Sequence, residues 1–122
     1  MPTDPDCLFC KVATGQIPAD VIAGGDGVLA FRDIDPKAPT HVLVIPTEHV
    51  ASLAEVPTGT PEGAAMLAEL VSVANRVAAG AGLDAEGAGY RVVTNVGPEA
   101  GQSVAHLHLH VLGGRPMTWP PG

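Results

Sequence analysis

Apolar residues alternate with polar ones in two stretches of the chain and recur at helical spacing in a third. The clearest alternation is "HLHLHVLGG", residues 106 to 114. Read as a strand, it puts Leu107, Leu109 and Val111 on one face and His106, His108 and His110 on the other, with the imidazoles expected to face the surface. "VLAFRDI" (28 to 34) and "HVLVIP" (41 to 46) also read as strands, joined by "DPKAPT", whose prolines favour a turn. "GYRVVTNVG" (89 to 97) is a further strand, and "AHLHLHVLGG" (105 to 114) the last. Between these groups Leu67, Leu70, Val71, Ala74, Val77 and Ala78 recur at helical spacing. Thr60 is the expected N-cap of that helix, Pro61 its first residue, and Gly80 or Gly82 its stop. A short N-terminal helix fits "DCLFCKVATG", with Asp6 as cap, Gly15 as terminator, and Leu8, Phe9 and Val12 on its apolar side. Strands grouped on either side of one main helix predict a single α+β domain over residues 1–122, with a mostly antiparallel sheet. An apolar edge strand in so small a sheet invites pairing with a second copy.

Composition narrows the setting. The 122 residues are 46% hydrophobic and 16% charged, as in a globular domain. Six Lys plus Arg against thirteen Asp plus Glu give a net charge of −7, which argues against extended contact with nucleic acid. No apolar run approaches the roughly 18 residues that cross a bilayer, and "MPTDPDCLFC" lacks the basic-then-apolar pattern of a signal peptide. The expectation is a cytoplasmic protein without membrane contact. Both cysteines, Cys7 and Cys10, fall in one CxxC. In a reducing compartment that spacing favours metal or redox chemistry, and any metal must recruit further, non-cysteine ligands.

The histidine face admits three chemistries. Histidines two apart on a strand can ligate a metal; an imidazole can attack phosphorus with its neighbour in support; or the row can be the solvent face of an edge strand. The preceding loop, "NVGPEAGQSVAH", favours the second. Its glycines, Gly97 and Gly101, allow backbone N–H groups close to an anion, and Asn95, Gln102 and the Ser103 hydroxyl stand ready beside them. Phosphoryl chemistry needs such donors, whereas a metal site does not.

"GQSVAHLHLHVLGG" resembles the signature of the histidine triad (HIT) family, and "LAFRDIDPKAPTHVLVIPTEHV" is similar to the family's upstream segment. The resemblance runs from about Cys7 to the terminal "WPPG". "HVLGGR" and "WPPG" are closer to the purine nucleoside phosphoramidase branch, the histidine triad nucleotide-binding proteins, than to the dinucleotide polyphosphate hydrolases or uridylyltransferases. The resemblance implies a homodimer whose two sheets join into one, binding a purine nucleoside monophosphate and its phosphoramidate or acyl derivatives. His108 would be the nucleophile, forming a nucleotidyl-histidine that water hydrolyses, with His110 assisting the leaving group and the more buried His41 behind it. Asn95, Gly101, Gln102, Ser103 and Val104 would surround the phosphate, and Asp33 would accept the ribose hydroxyls. Leu8, Phe9, Val12, Ile17, Phe31 and Ile34 would line a slot for the base, which requires a bend between Asp33 and Ile34. No cofactor would be needed for catalysis. A structural zinc is implied at Cys7, Cys10, His49 and His106, although the phosphoramidase branch often lacks the cysteine pair, so the chain has mixed features. The alternatives are a nucleotide-binding regulatory module with slow residual activity, a dinucleotide polyphosphate hydrolase, and a metal-dependent hydrolase using the triad as ligands.

Overall fold

The computed structural model describes residues 3–122. In chain order its elements are α1 (Leu8–Ala13), β1 (Val21–Gly25), β2 (Val28–Arg32), β3 (Thr40–Pro46), α2 (Pro61–Gly80), β4 (Tyr90–Val93) and β5 (Leu109–Gly113), with short 3-10 turns at Leu53–Glu55 and Pro98–Ala100. The five strands form one antiparallel sheet in the order β1-β2-β3-β5-β4. This is the α+β architecture expected from the sequence.

Central β3 explains the layering. Its alternation sends Val42 and Val44 to one side and His41, Leu43 and Ile45 to the other, and both sides are covered. On the first side, α2 packs Leu70, Val73, Ala74, Val77 and Ala78 against Val28, Ala30 and Val111. Leu107 and Leu109 join that core, as the alternation predicts. On the second side, α1 brings Cys7, Phe9, Cys10 and Val12 over Phe31, Leu43 and Ile45. The imidazoles lie on this second, thinner side.

Helix α2 begins as expected: the Thr60 hydroxyl accepts the Gly63 N–H at 3.1 Å, and Pro61 opens the first turn. Its last residue is Gly80, but Val73 rather than Val71 belongs to the buried stripe, and Val71 points outward. In α1 the cap is Cys7, whose sulfur accepts the Cys10 N–H at 3.4 Å, and Asp6 is not the cap. That helix ends at Ala13 with Thr14 as its C-cap, one residue before Gly15. β1 was not legible, because "VIAGG" neither alternates nor buries a face and includes a register shift between Val21 and Ala23. The last two strands are shorter than their apolar patterns, since the β4–β5 ladder runs only from Tyr90↔Gly113 to Val93↔His110. His106 and His108 therefore precede the paired strand. Among the described residues, no helix is long and apolar enough to cross a membrane.

Candidate active site

Register brings His41 and His110 together. Leu43 faces His110 across the β3–β5 ladder and His41 faces Leu112, so the two histidines are diagonal neighbours on one face. His41 Nε2 and His110 Nδ1 are 2.9 Å apart. The backbone N–H of Lys37 donates to His41 Nδ1 at 3.0 Å, so the neutral ring carries its proton on Nε2 and donates to His110 Nδ1. The His110 proton then lies on Nε2. His108 is fixed in the opposite tautomer: its Nδ1–H donates to the carbonyl of His106 at 2.7 Å, which leaves Nε2 as its open lone pair. The His108 and His110 ring centroids are 5.0 Å apart.

Burial, reinforced by the imidazoles of His108 and His41, holds His110 down at about 4. Burial also lowers His41 and His106. These rings are therefore neutral donors and acceptors near pH 7. His108 is not surface-facing as the alternation suggested, being only 5% exposed. The Phe9 ring covers it edge-on, with centroids 5.1 Å apart.

His106 leaves the row. Its Nε2–H donates to the carbonyl of Pro46 at 2.8 Å, and its Nδ1 lone pair faces Cys7 Sγ at 3.3 Å and Cys10 Sγ at 3.5 Å. His49 Nδ1 lies 3.4 Å from Cys10 Sγ, and the four ligand atoms all fall within 4.8 Å of one another. Tetrahedral zinc, with Zn–S about 2.3 Å and Zn–N about 2.0–2.1 Å, sets sulfur and nitrogen ligands about 3.5 Å apart. The cluster fits that spacing, and the Pro46 carbonyl supplies the outer hydrogen bond that ligating imidazoles need. Both cysteines are free, and burial pushes the Cys10 thiol up. Asp33, His41 and His110 also bring ligand atoms within 4.8 Å. There, however, the His41 nitrogen facing the group carries a proton and offers no lone pair. Nor do the triad rings converge, since their Nδ1 atoms face sulfur, a carbonyl and another imidazole in turn.

A cleft of about 710 Å³ opens over His108 and His110. All six residues expected to form the base slot line it: Leu8, Phe9, Val12, Ile17, Phe31 and Ile34. Phe9, Val12 and Phe31 are at once core and wall, whereas Ile34 is fully exposed at the rim. The expected bend falls at Ile34, which lets it and Asp33 face the same cleft. Asp33 also holds its own turn, one oxygen accepting the Asp35 N–H at 2.8 Å and the other lying 3.4 Å from His41 Nε2.

The glycine loop divides. Ser103 and Val104 line the cleft, while Asn95, Gly101 and Gln102 lie outside its lining. The Gly101 and Gln102 N–H groups are spent within the loop, on the carbonyls of Pro98 and Gly97. Gly97 and Gly101, with φ of 85° and 86°, permit that tight turn. The Gln102 side chain braces it, accepting the Gly97 N–H at 2.9 Å and donating to the carbonyls of Ala51 and Val104 at 2.7 and 3.0 Å. One positioning contact had no sequence signal: the Thr94 hydroxyl donates to the His108 carbonyl at 2.9 Å, just beyond the end of the ladder. A threonine at a strand end is too common to mark it.

An antiparallel sheet thus sets the imidazoles on its thinner face, in fixed and alternating tautomers beside an open cleft. The chain belongs to the histidine triad family, the HIT domain matching residues 14–117. It is similar in structure to a HIT family hydrolase from Legionella pneumophila Philadelphia 1, with 49% identity, a TM-score of 0.88, and coverage of 96% of this chain and 100% of that one. An uncharacterized HIT-like protein of Synechococcus elongatus is 47% identical over 96% of this chain and 97% of its own length. A 14 kDa zinc-binding protein of Zea mays is 46% identical over 98% of this chain and 90% of its own.

Proposed function

We propose that the protein is a homodimeric hydrolase that cleaves purine nucleoside phosphoramidates or acyl adenylates through a nucleotidyl-His108 intermediate. One observation carries the reading: the His106 carbonyl holds the proton of His108 on Nδ1, 2.7 Å away, and so keeps Nε2 as a lone pair at the 710 Å³ cleft. In the first step Nε2 bonds to phosphorus and the bond from phosphorus to the leaving nitrogen or oxygen breaks. His110 Nε2–H, set by His41, hydrogen-bonds to the leaving atom, which departs with a proton from solvent. In the second step water bonds to phosphorus, releases its proton to solvent, and His108 departs with its lone pair restored. Ser103 and Val104 flank the phosphate, Asp33 takes the ribose hydroxyls, and the base lies between Phe9, Phe31 and Ile34. Asn95, Gly101 and Gln102 shape the phosphate loop from behind.

Zinc at Cys7, Cys10, His49 and His106 is part of the same proposal, and the Zea mays relative's name supports it. Four protein ligands would make it a structural ion with no open position for water. The reading places the chain in the cytoplasm, where the thiols stay reduced.

The test is hydrolysis of an adenosine phosphoramidate by His108→Asn. Because His108 is buried under Phe9, alanine would open a void. Asparagine keeps most of the volume and a donor to the His106 carbonyl, while removing Nε2. Turnover is expected to fall by far more than tenfold, which is only about 1.4 kcal/mol of barrier. A loss of tenfold or less would remove His108 from the nucleophile's role. Chelation should leave the rate of the wild type largely unchanged.

A further inference from the structure

Two structural links join the cysteine pair to the proposed nucleophile. The first is His106, whose Nδ1 faces both sulfurs at 3.3 and 3.5 Å while its carbonyl accepts the His108 Nδ1–H at 2.7 Å. The second is Phe9, which lies between the two cysteines in sequence and packs edge-on against both rings, with centroids 6.0 Å from His106 and 5.1 Å from His108. The cluster that holds the CxxC turn together thus also fixes the position and tautomer of His108.

The sulfurs differ in access. A second cleft, of about 420 Å³, is lined by Asp4, Asp6, Cys7, His49 and Ala105 among others, and it shares Leu8, Ser103 and Val104 with the nucleotide cleft. Cys10 and His106 do not line it and are 2% and 0% exposed, against 9% for Cys7. A small oxidant entering from solvent meets Cys7 first and finds Cys10 one helical turn behind it.

We propose that Cys7 and Cys10 form an oxidation site for hydroperoxides, whose closure to a disulfide displaces His108 and slows the enzyme reversibly. The inference rests on the zinc and nucleophile readings above. The Cys7 sulfur attacks the peroxide O–O bond, takes one oxygen as a sulfenic acid, and releases the other as water or an alcohol after protonation. The Cys10 sulfur then attacks the Cys7 sulfur, the S–S bond forms, and the hydroxyl leaves as water. In sum, two thiolates and two protons reduce one hydroperoxide, and the two electrons come from the sulfurs. Closure removes two of the four metal ligands and frees any bound zinc. The His106 ring loses both sulfur partners, and Phe9 follows the closed turn.

The experiment uses the full-length, zinc-loaded protein with hydrogen peroxide as probe. It follows released zinc with a chromophoric indicator, free thiols by titration, and the His108 ring by nitrogen-resolved NMR. Zinc release and loss of both thiols are expected in step, with a displaced His108 ring signal, and a dithiol reductant with added zinc should restore all three. Turnover of the oxidised form should fall about tenfold or more, as for other changes just outside a first coordination or reaction shell. Thiols that survive a modest excess of peroxide would overturn the proposal, as would oxidation that stops at a sulfinic acid on Cys7. A His108 signal unmoved by a formed disulfide would do the same. Failure of the hydrolase reading would show separately, as absent turnover before oxidation with the thiol and ring measurements still readable.

Discussion

Which ring nitrogen holds a proton decides what each histidine can do. His106, His108 and His110 come from one alternating run, yet their outer partners are a proline carbonyl, a histidine carbonyl and another imidazole. Those partners leave Nδ1 of the first facing two sulfurs, Nε2 of the second unpaired at the cleft and Nε2 of the third with its proton, the arrangement on which the proposed ligand, nucleophile and donor roles rest. The burial of His106 and His110 also has a measurable cost in acid. An unfolded histidine titrates near 6.5, whereas folded His110 titrates at about 4. Between those values the unfolded chain binds more protons than the folded one, so stability is full above about 6.5 and is lost as pH falls towards 4. His41 and His106, also lowered by burial, act in the same direction. The urea midpoint is therefore expected to drop between about pH 7.5 and about pH 5. His110→Gln, without the suppressed imidazole, should lose less over that interval. An equal loss in wild type and variant would contradict the assignment.

Among the elements, α2 shows how one position can set a whole packing arrangement. Its first turn lies against the preceding loop, where the Thr60 hydroxyl donates to the Pro57 carbonyl at 2.7 Å and accepts from Gly63. A Cβ built on Gly63 would stand 2.0 Å from that carbonyl oxygen. Since the obstacle is backbone, it cannot swing aside. Gly63→Ala is expected to destabilise the fold by about 1–3 kcal/mol, read as a lower urea midpoint with little change in slope. A midpoint equal to wild type would mean that the loop and helix slide apart freely.

At the scale of the whole molecule, one sheet face is sealed by α2 and the other is only partly covered by α1, which leaves the cleft. Among the described residues β4 pairs only with β5, and its open edge exposes Tyr90 and Val92. The Tyr90 hydroxyl donates to Asn75 Oδ1 at 2.8 Å, which joins that edge to the outer side of α2, where Val71 is also exposed. A second copy pairing here would continue the sheet and cover those side chains. Sedimentation at micromolar concentration is expected to give twice the 12.3 kDa chain mass. A single stable species at the monomer mass would remove the dimer from the proposal.

The sequence by itself determined the features whose physics is local. Period-two alternation placed Leu107, Leu109 and Val111 in the core, Thr60 and Pro61 marked the start of α2, and the motif led to the family. Local patterning could not show that the His108 ring is buried under Phe9, that Cys7 rather than Asp6 caps α1, or that the Gly101 and Gln102 N–H groups are spent inside their own loop. Nor does alternation alone separate His106 from its two neighbours, a division that only the family resemblance implied. Those outcomes depend on partners far away in the chain: His106 meets Cys7 across 99 residues, and His41 meets His110 across 69. Only the assembled sheet, with α1 folded over it, brings the polar atoms close enough to choose which nitrogen carries the proton and which keeps the lone pair.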